Sequence, residues 1–439
     1  MSPAGKAAVP STSAATATGP KAPTAYVSRA EAVRILGVKA QTLYAYVSRD
    51  LIRSVREGGR RASLYSREDI DKVLARSQAR SGHGAVAAAA MRWGEPIIPT
   101  AITGISAEGP RYRNRLATEL ARGGTSGGTS FEAVAELLWS GIWHDEPAGW
   151  TVAPLPPEIL RLAATLSKNR PATQPVEIFS LFVLTLGMSR GSVAERMRNG
   201  NPLVAARQVI QTLAGCMGFL SARPRFVTVR DRERISSVLA RALAITPSDR
   251  NIAALEAILV LLADHELTPS TFAARVAASS GAALHACLGA ALCTNSGVQV
   301  AQLYDRVEDM LQGAASPAEL AKRIGALQGG GLPPPGFNHP LYPRGDPRAD
   351  FLLGMSRQWP RPSRALAVLH AFLDTEAPQR NLRPRVEMGV VALALAMRLP
   401  PHAAGALFSV SRSAGWVAHV MEQRLAGFLI RPRARFIGG

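Results

Sequence analysis

The side chains able to do chemistry in this chain are scattered. Eight histidines and three cysteines are spread over 439 residues. Cys216, Cys287 and Cys293 sit in apolar or helix-like contexts without paired metal-ligand spacing, so reduced, mostly buried thiols are expected, with no metal site and no disulfide framework. A lone histidine in a helical segment more often makes a structural hydrogen bond than binds a ligand, and that is the expectation for His402 and His419. Arginine dominates the cations: only six of the 51 basic residues are lysine, against 32 acids, for a formal charge of +19. Such a surface attracts polyanions, but a small anionic ligand suits a basic cleft equally well, so charge alone does not choose the partner.

The elements that must position these residues read mostly as helices. Residues 1–24, rich in Ala, Pro, Ser and Thr, form a tail without the apolar core of a signal peptide. The longest apolar stretches, 178–188 and 388–397, fall short of a bilayer span. A soluble, cytoplasmic protein without a membrane partner is therefore expected. Residues 25–80 make a compact basic unit and 81–92 a Ser/Gly/Ala linker. Beyond it, apolar residues recur at helical spacing in 131–139, 178–188, 254–263, 365–372 and 390–397, with strand-like alternation scarce. Gly- and Pro-rich interruptions at 123–128 and 329–336 read as loops. An all-α fold of two to four compact units is expected.

In the basic unit, Ser28-Arg-Ala-Glu31 has the spacing of a capping box and starts a helix to about Leu36. Gly37 suits a left-handed turn, after which residues 39–48 read as a second helix with Leu43 and Val47 inward. A wing from Leu51-Ile52 to Tyr65, turning at Gly58-Gly59, and a third helix capped by Ser66 complete the pattern. The module resembles the DNA-binding domain of MerR-type regulators, with Asp50 where glycine is usual. The resemblance puts Lys39, Gln41, Thr42, Tyr44 and Arg49 near DNA, and Arg53, Arg56, Arg60 and Arg61 on phosphates. Assembly alone is the alternative role, and duplex reading implies two copies related by symmetry.

From residue 93 onward the sequence resembles the citrate synthase family. Four segments carry this: Ser130-Phe-Glu-Ala-Val-Ala-Glu-Leu-Leu-Trp139; Leu261-Leu-Ala-Asp-His-Glu266 with Ser270-Thr-Phe-Ala-Ala-Arg275; Gly336-Phe-Asn-His-Pro-Leu-Tyr342 continuing through Asp346-Pro-Arg348; and residues 411–423 with Ile430-Arg-Pro-Arg433. The resemblance implies a large helical domain from 93–300 and 400–439, a smaller one from 301–399 that closes over a cleft, and a dimer of like or homologous chains. It also implies condensation of acetyl-CoA, or another acyl-CoA, with oxaloacetate or a related 2-oxo acid, needing no further cofactor or metal. A carboxylate removes the methyl proton, one imidazole stabilises the enol and another polarises the ketone. By position, His265 and His339 contact substrate, His339 serving the ketone. Arg348, Arg412 and Arg431 hold its carboxylates, Arg431 from across the dimer.

Two positions depart from the family pattern. Its enol-stabilising histidine falls on Val300, within Gly297-Val-Gln-Val-Ala-Gln302, where no side-chain donor exists; Gln299 is one residue away. The proton-abstracting Asp is replaced by Glu387, within Arg383-Pro-Arg-Val-Glu-Met388, a carboxylate one methylene longer. Slow condensation is expected, with the alternatives of a non-catalytic metabolite sensor coupled to the DNA-binding module and a regulatory subunit of an intact homologue.

Overall fold

The computed structural model describes residues 26–48, 51–52, 54–56, 63–67, 69–70, 73, 98–125, 129–144, 149–169, 174–190, 202–330 and 332–432. The expected tail and linker, Arg49, Arg53, Arg60, Arg61 and the side chain of Arg56 lie outside them. Two compact units divide the chain, one before residue 99 and one spanning 99–431.

In the first unit, helices α1 (Arg29–Leu36) and α2 (Ala40–Ser48) are joined at Gly37, whose φ of 63° favours glycine because a Cβ is penalised there. The Ser28 hydroxyl accepts from Glu31 N at 3.3 Å, closing the N-terminus of α1. Strands β1 (Tyr26–Ser28), β2 (Ser54–Arg56) and β3 (Ser63–Ser66) form an antiparallel sheet in the order β1-β3-β2. Leu36, Leu43, Ile52, Tyr65 and Ile70 make its core. The two helices with their turn, and the strands 54–56 and 63–66 that flank the expected wing turn, therefore form where the sequence marks them, while the turn at Gly58-Gly59 lies outside the described residues.

The second unit is helical apart from one small antiparallel sheet of β4 (Thr103–Ser106), β5 (Gly109–Tyr112) and β6 (Arg115–Leu116). Each apolar segment singled out above lies in a helix: α4 (Phe131–Ser140), α6 (Pro175–Arg190), α9 (Asp249–Leu262, with Ala263 as its cap), α15 (Arg364–Thr375) and α16 (Val386–Met397). Between them run α3 (Ala117–Thr125), α5 (Pro157–Asn169), α7 (Pro202–Cys216), α8 (Ile235–Ala242), α10 (Pro269–Ser279), α11 (Leu284–Asn295), α12 (Gln302–Leu311), α13 (Pro317–Gly329) and α14 (Pro347–Arg357). Helix α17 (Ala403–Ala426) ends the order.

Three expectations need correcting. Helix α3 runs through Gly123 and Gly124 to Thr125, beyond the expected loop start, because packing along α9 overrides the low helix propensity of glycine. Cys293 is exposed, unlike Cys216 and Cys287, because it lies on the outer face of α11. Pro202–Leu220 is long and apolar enough to cross a membrane, yet 67% of its most apolar window is buried inside the protein, so among the described residues it is packed as a core helix.

Two buried carboxylates bind the helix starts together. Glu256 of α9 accepts from Phe131 N at 2.8 Å and from the Ser236 hydroxyl at 2.7 Å, while Glu132 of α4 accepts from Ile235 N at 2.7 Å. Each satisfies an N-terminal amide that its own helix cannot. Burial, and then the neighbouring Glu132, push the Glu256 carboxyl up to about 7. The folded state thus keeps a proton that the unfolded chain releases between about pH 4.5 and 7, so this group costs stability as pH rises through that window. Glu256→Gln preserves the acceptor and removes the titration. In thermal unfolding at pH 5 and pH 8, the variant should surpass the parent at pH 8 by about 3 kcal/mol, the rise from 4.5 to about 7 taken at about 1.4 kcal/mol per pKa unit. A variant less stable at pH 8 would overturn this account.

Candidate active site

The site gathers where α9 turns into α10, where the 336–346 loop meets the starts of α14 and α16, and along one face of α17. Arg412, Gly415 and His419 recur at helical spacing on that face. Gly415 is required there: a Cβ would lie 2.2 Å from Asp264 Oδ1 and 2.5 Å from the Ala263 carbonyl oxygen, and Gly415 N donates to that oxygen at 3.0 Å. The close approach sets α17 against the turn that carries His265. His419, fully buried, lies 3.2 Å from Asp264 Oδ2 through Nε2 and 3.1 Å from Arg275 through Nδ1. His402 Nδ1 lies 3.1 Å from Asp305 Oδ2. Both histidines have the structural hydrogen bonds expected of them.

Arg412 is 2% exposed. Its Nε donates to the Leu262 carbonyl at 2.8 Å, one Nη lies 3.5 Å from the Thr268 hydroxyl, and its guanidinium stacks 4.8 Å above the Phe408 ring. Among the described residues no carboxylate forms an ion pair with it. Asp264 bears on it electrostatically without a direct ion pair, so its charge is only partly compensated, and a carboxylate in contact with it would compensate it further. Arg348 is as deeply buried but already engaged: Nε and Nη2 donate to the two oxygens of Asp346 at 3.0 and 2.8 Å. Asp346 also caps α14 by accepting from Arg348 N and accepts from Val386 N at the start of α16. One carboxylate thereby ties two helices to the loop.

His265 and His339 are brought together. Their ring centroids are 5.4 Å apart and nearly perpendicular, and the Tyr342 ring packs against both, 5.7 Å from His265 and 5.0 Å from His339, its hydroxyl 2.9 Å from His265 Nε2. Burial, reinforced by Arg348 and Arg412, holds His265 well below the usual histidine range. Burial, then Arg385 and Arg348, lower His339 to about 4. Both rings are neutral at pH 7. Leu341 N donates to His339 Nδ1 at 3.1 Å, so the neutral ring carries its proton on Nε2, the arrangement of a hydrogen-bond donor to a carbonyl oxygen.

Glu387, at the start of α16, is buried and paired with Arg385 at 2.8 Å. Val300 is half-buried against the hydrophobic core and Gln299 is exposed, so neither offers a donor to the buried site. Arg431 is exposed beyond α17. Lys39, just before α2, and Gln41 and Tyr44 on it are exposed and Thr42 is half-buried, the Tyr44 hydroxyl accepting from Arg29 at 3.2 Å.

Sequence reasoning missed Tyr342, Asp346 and Arg385. The signal for Asp346 is Asp-Pro at the cap and first position of a helix, and for Arg385 a cation two residues before a carboxylate at a helix start. Tyr342 had only its place in the 336–342 motif.

Comparison with known proteins adds the following. A family model described as citrate synthase, C-terminal domain, matches residues 91–433, and a helix-turn-helix domain model matches 26–78. A putative citrate synthase 2 of Mycobacterium tuberculosis is 34% identical over 197 residues, 44% of this chain and 53% of the relative. The chain thus spans about half the length of that relative. A 2-methylcitrate synthase of Shewanella oneidensis is 25% identical over 358 residues, 79% of this chain and 92% of the relative. Among solved structures, citrate synthase from Pyrobaculum aerophilum superposes with a TM-score of 0.65 at 23% identity, covering 79% of this chain and 91% of that one. Citrate synthase from Thermotoga maritima gives 0.61 at 22%, covering 79% and 94%. These two likenesses bear on the fold.

The His339 ring offers a direct check on the electrostatics. Its folded pKa lies below the ordinary value of about 6.5, so it opposes folding increasingly as pH falls from about 6.5 to 4. Ring ¹⁵N shifts should report the Nε2–H tautomer from pH 8 to about 5 and titration near 4. An apparent pKa near 6.5 would mean that neither burial nor the charges of Arg385 and Arg348 bear on the ring.

Proposed function

The chain belongs to the citrate synthase family, and on that premise we propose that it holds oxaloacetate, or a related 2-oxo dicarboxylate, and condenses it slowly with acetyl-CoA or another acyl-CoA. The observation that carries this is the burial of Arg412, with no carboxylate among the described residues in direct ion pair with it, beside two neutral imidazoles. A guanidinium so placed gains an ion pair when a carboxylate enters. His339 Nε2–H then donates to the ketone oxygen, and Glu387 removes a proton from the acyl methyl. Turnover is slow because Val300 supplies no hydrogen bond to the enolate oxygen, a loss of about 10²–10³ in rate for one such donor. Arg348 contributes what its Asp346 pair leaves free. Arg431 acts from a partner chain, and the exposed apolar row Leu181, Leu184 and Met188 on α6 is the kind of surface a second copy would cover.

Thiol release from acetyl-CoA with oxaloacetate tests the chemistry, and calorimetry with oxaloacetate tests the holding. We expect measurable heat that Arg412→Ala removes, turnover below the ordinary range of about 1–10³ per second, and a gain of about 10²-fold in Val300→His. Absence of both heat and thiol release rejects the proposal.

A second reading is favoured by one observation, the helix-turn-helix module with Lys39 exposed just before its second helix and Gln41 and Tyr44 exposed on it. On it, a dimer binds duplex DNA in the MerR manner and the diacid tunes that binding. Gel retardation should show salt-sensitive binding that Lys39→Glu weakens about tenfold, with sedimentation giving the mass of two chains. A one-chain mass, or binding indifferent to the substitution, would remove this role.

A further inference from the structure

The ion pair at the start of α16 goes beyond the family pattern that the rest of the site follows. Arg385 Nη2 donates to Glu387 Oε1 at 2.8 Å, yet Arg385 Nε and Glu387 Oε2 are both buried without a hydrogen-bond partner. An acceptor and a donor are thus left side by side, each lacking a complement. Their position is not loose. Arg385 N donates to the Gly336 carbonyl at 2.8 Å and Asn338 N donates to the Arg383 carbonyl at 2.8 Å, so the backbone of Arg385 is pinned to the loop that carries His339. The guanidinium also bears electrostatically on both His265 and His339. It therefore bears on both imidazoles of the constellation, in a chain whose sequence carries Val300 where the family pattern has its enol-stabilising donor.

We propose that Arg385 is the enolate-stabilising residue of this site, its Nε–H donating to the thioester oxygen of an acyl-CoA while Glu387 Oε2 takes the α-proton. The inference rests on the condensing reading above. In the step, the C–H bond of the carbon next to the thioester carbonyl breaks and its proton passes to Glu387. The electron pair forms the C=C bond of the enolate, and the carbonyl π pair moves onto oxygen, beside the guanidinium. The enolate carbon then attacks the ketone of the diacid, whose oxygen is held by His339.

Enolisation can be read without condensation. The full-length protein, with malate in place of the keto diacid, is incubated with acetyl-CoA in D₂O, and deuterium entering the acetyl methyl is followed by mass spectrometry across pH. The parent should exchange, and Arg385→Asn should lower the pH-independent plateau by about 10²–10³. Arg385→Lys, which keeps the charge and a donor, should recover part of it. An Arg385 that merely keeps Glu387 ionised would move the acidic limb of the profile and leave the plateau equal or higher, which overturns the proposal. Tyr304 of α12, buried and bearing electrostatically on Glu387 and Arg385, is the alternative donor; Tyr304→Phe losing as much as Arg385→Asn would overturn the proposal also, by assigning the donor to that phenol. Parent protein that shows heat with malate and oxaloacetate but no exchange sinks this inference and spares the diacid pocket; no heat with either diacid sinks the pocket itself, and this inference with it. Should Arg385→Asn fail to fold, the Lys and Gln variants carry the same comparison.

Discussion

A guanidinium buried on α17 with a carbonyl and a hydroxyl as its hydrogen-bond partners, and among the described residues no carboxylate in direct ion pair with it, is the constraint around which the site of this protein is organised. Arg412 can be tolerated there only because Leu262 and Thr268 satisfy part of its hydrogen-bonding capacity and because the fold around it is otherwise well packed. Burial first, then the positive fields of Arg348 and Arg385 and, for His265, of Arg412, keeps both imidazoles neutral. A neutral imidazole can donate a hydrogen bond to a ketone without competing as a cation for the carboxylates of the ligand. The closed, cationic surroundings that would suit a diacid thus also set the protonation state needed for the next step.

Around Arg412, the other charged groups are neutralised locally. Asp346 occupies two nitrogens of Arg348 and caps two helices, so the pair serves the architecture as much as any ligand. The buried sequence Asp264, His419, Arg275 and Glu422 runs as a chain of polar contacts along α17, bracing the turn that presents His265. Such networks are stable when each member is paired, and the exceptions are informative. Glu387 Oε2 and Arg385 Nε are among those exceptions, and they lie where the chemistry of a condensing site would be done.

The helix-turn-helix module stands as a separate compact unit with its own small core. On the two proposed readings, one chain would carry two kinds of anion recognition, of phosphates and of carboxylates, and both would draw on arginine, which is why the net charge of +19 could not distinguish them.

By itself the sequence determined the helical character of residues 117–426, the turn at Gly37, and the ordered motifs that mark His265, His339, Arg348, Glu387 and Arg412, because periodicity, capping and short motifs are local properties of the chain. It also marked the absence of an imidazole at Val300. What only the tertiary structure decided was which charges meet. That Arg348 is consumed by Asp346 while Arg412 is not, that Arg385 seizes Glu387, and that Tyr342 packs against both imidazoles depend on how loops 263–268 and 336–346 fold against α14, α16 and α17. Ion pairing falls off steeply with distance and depends on burial, and neither can be read from spacing along the chain.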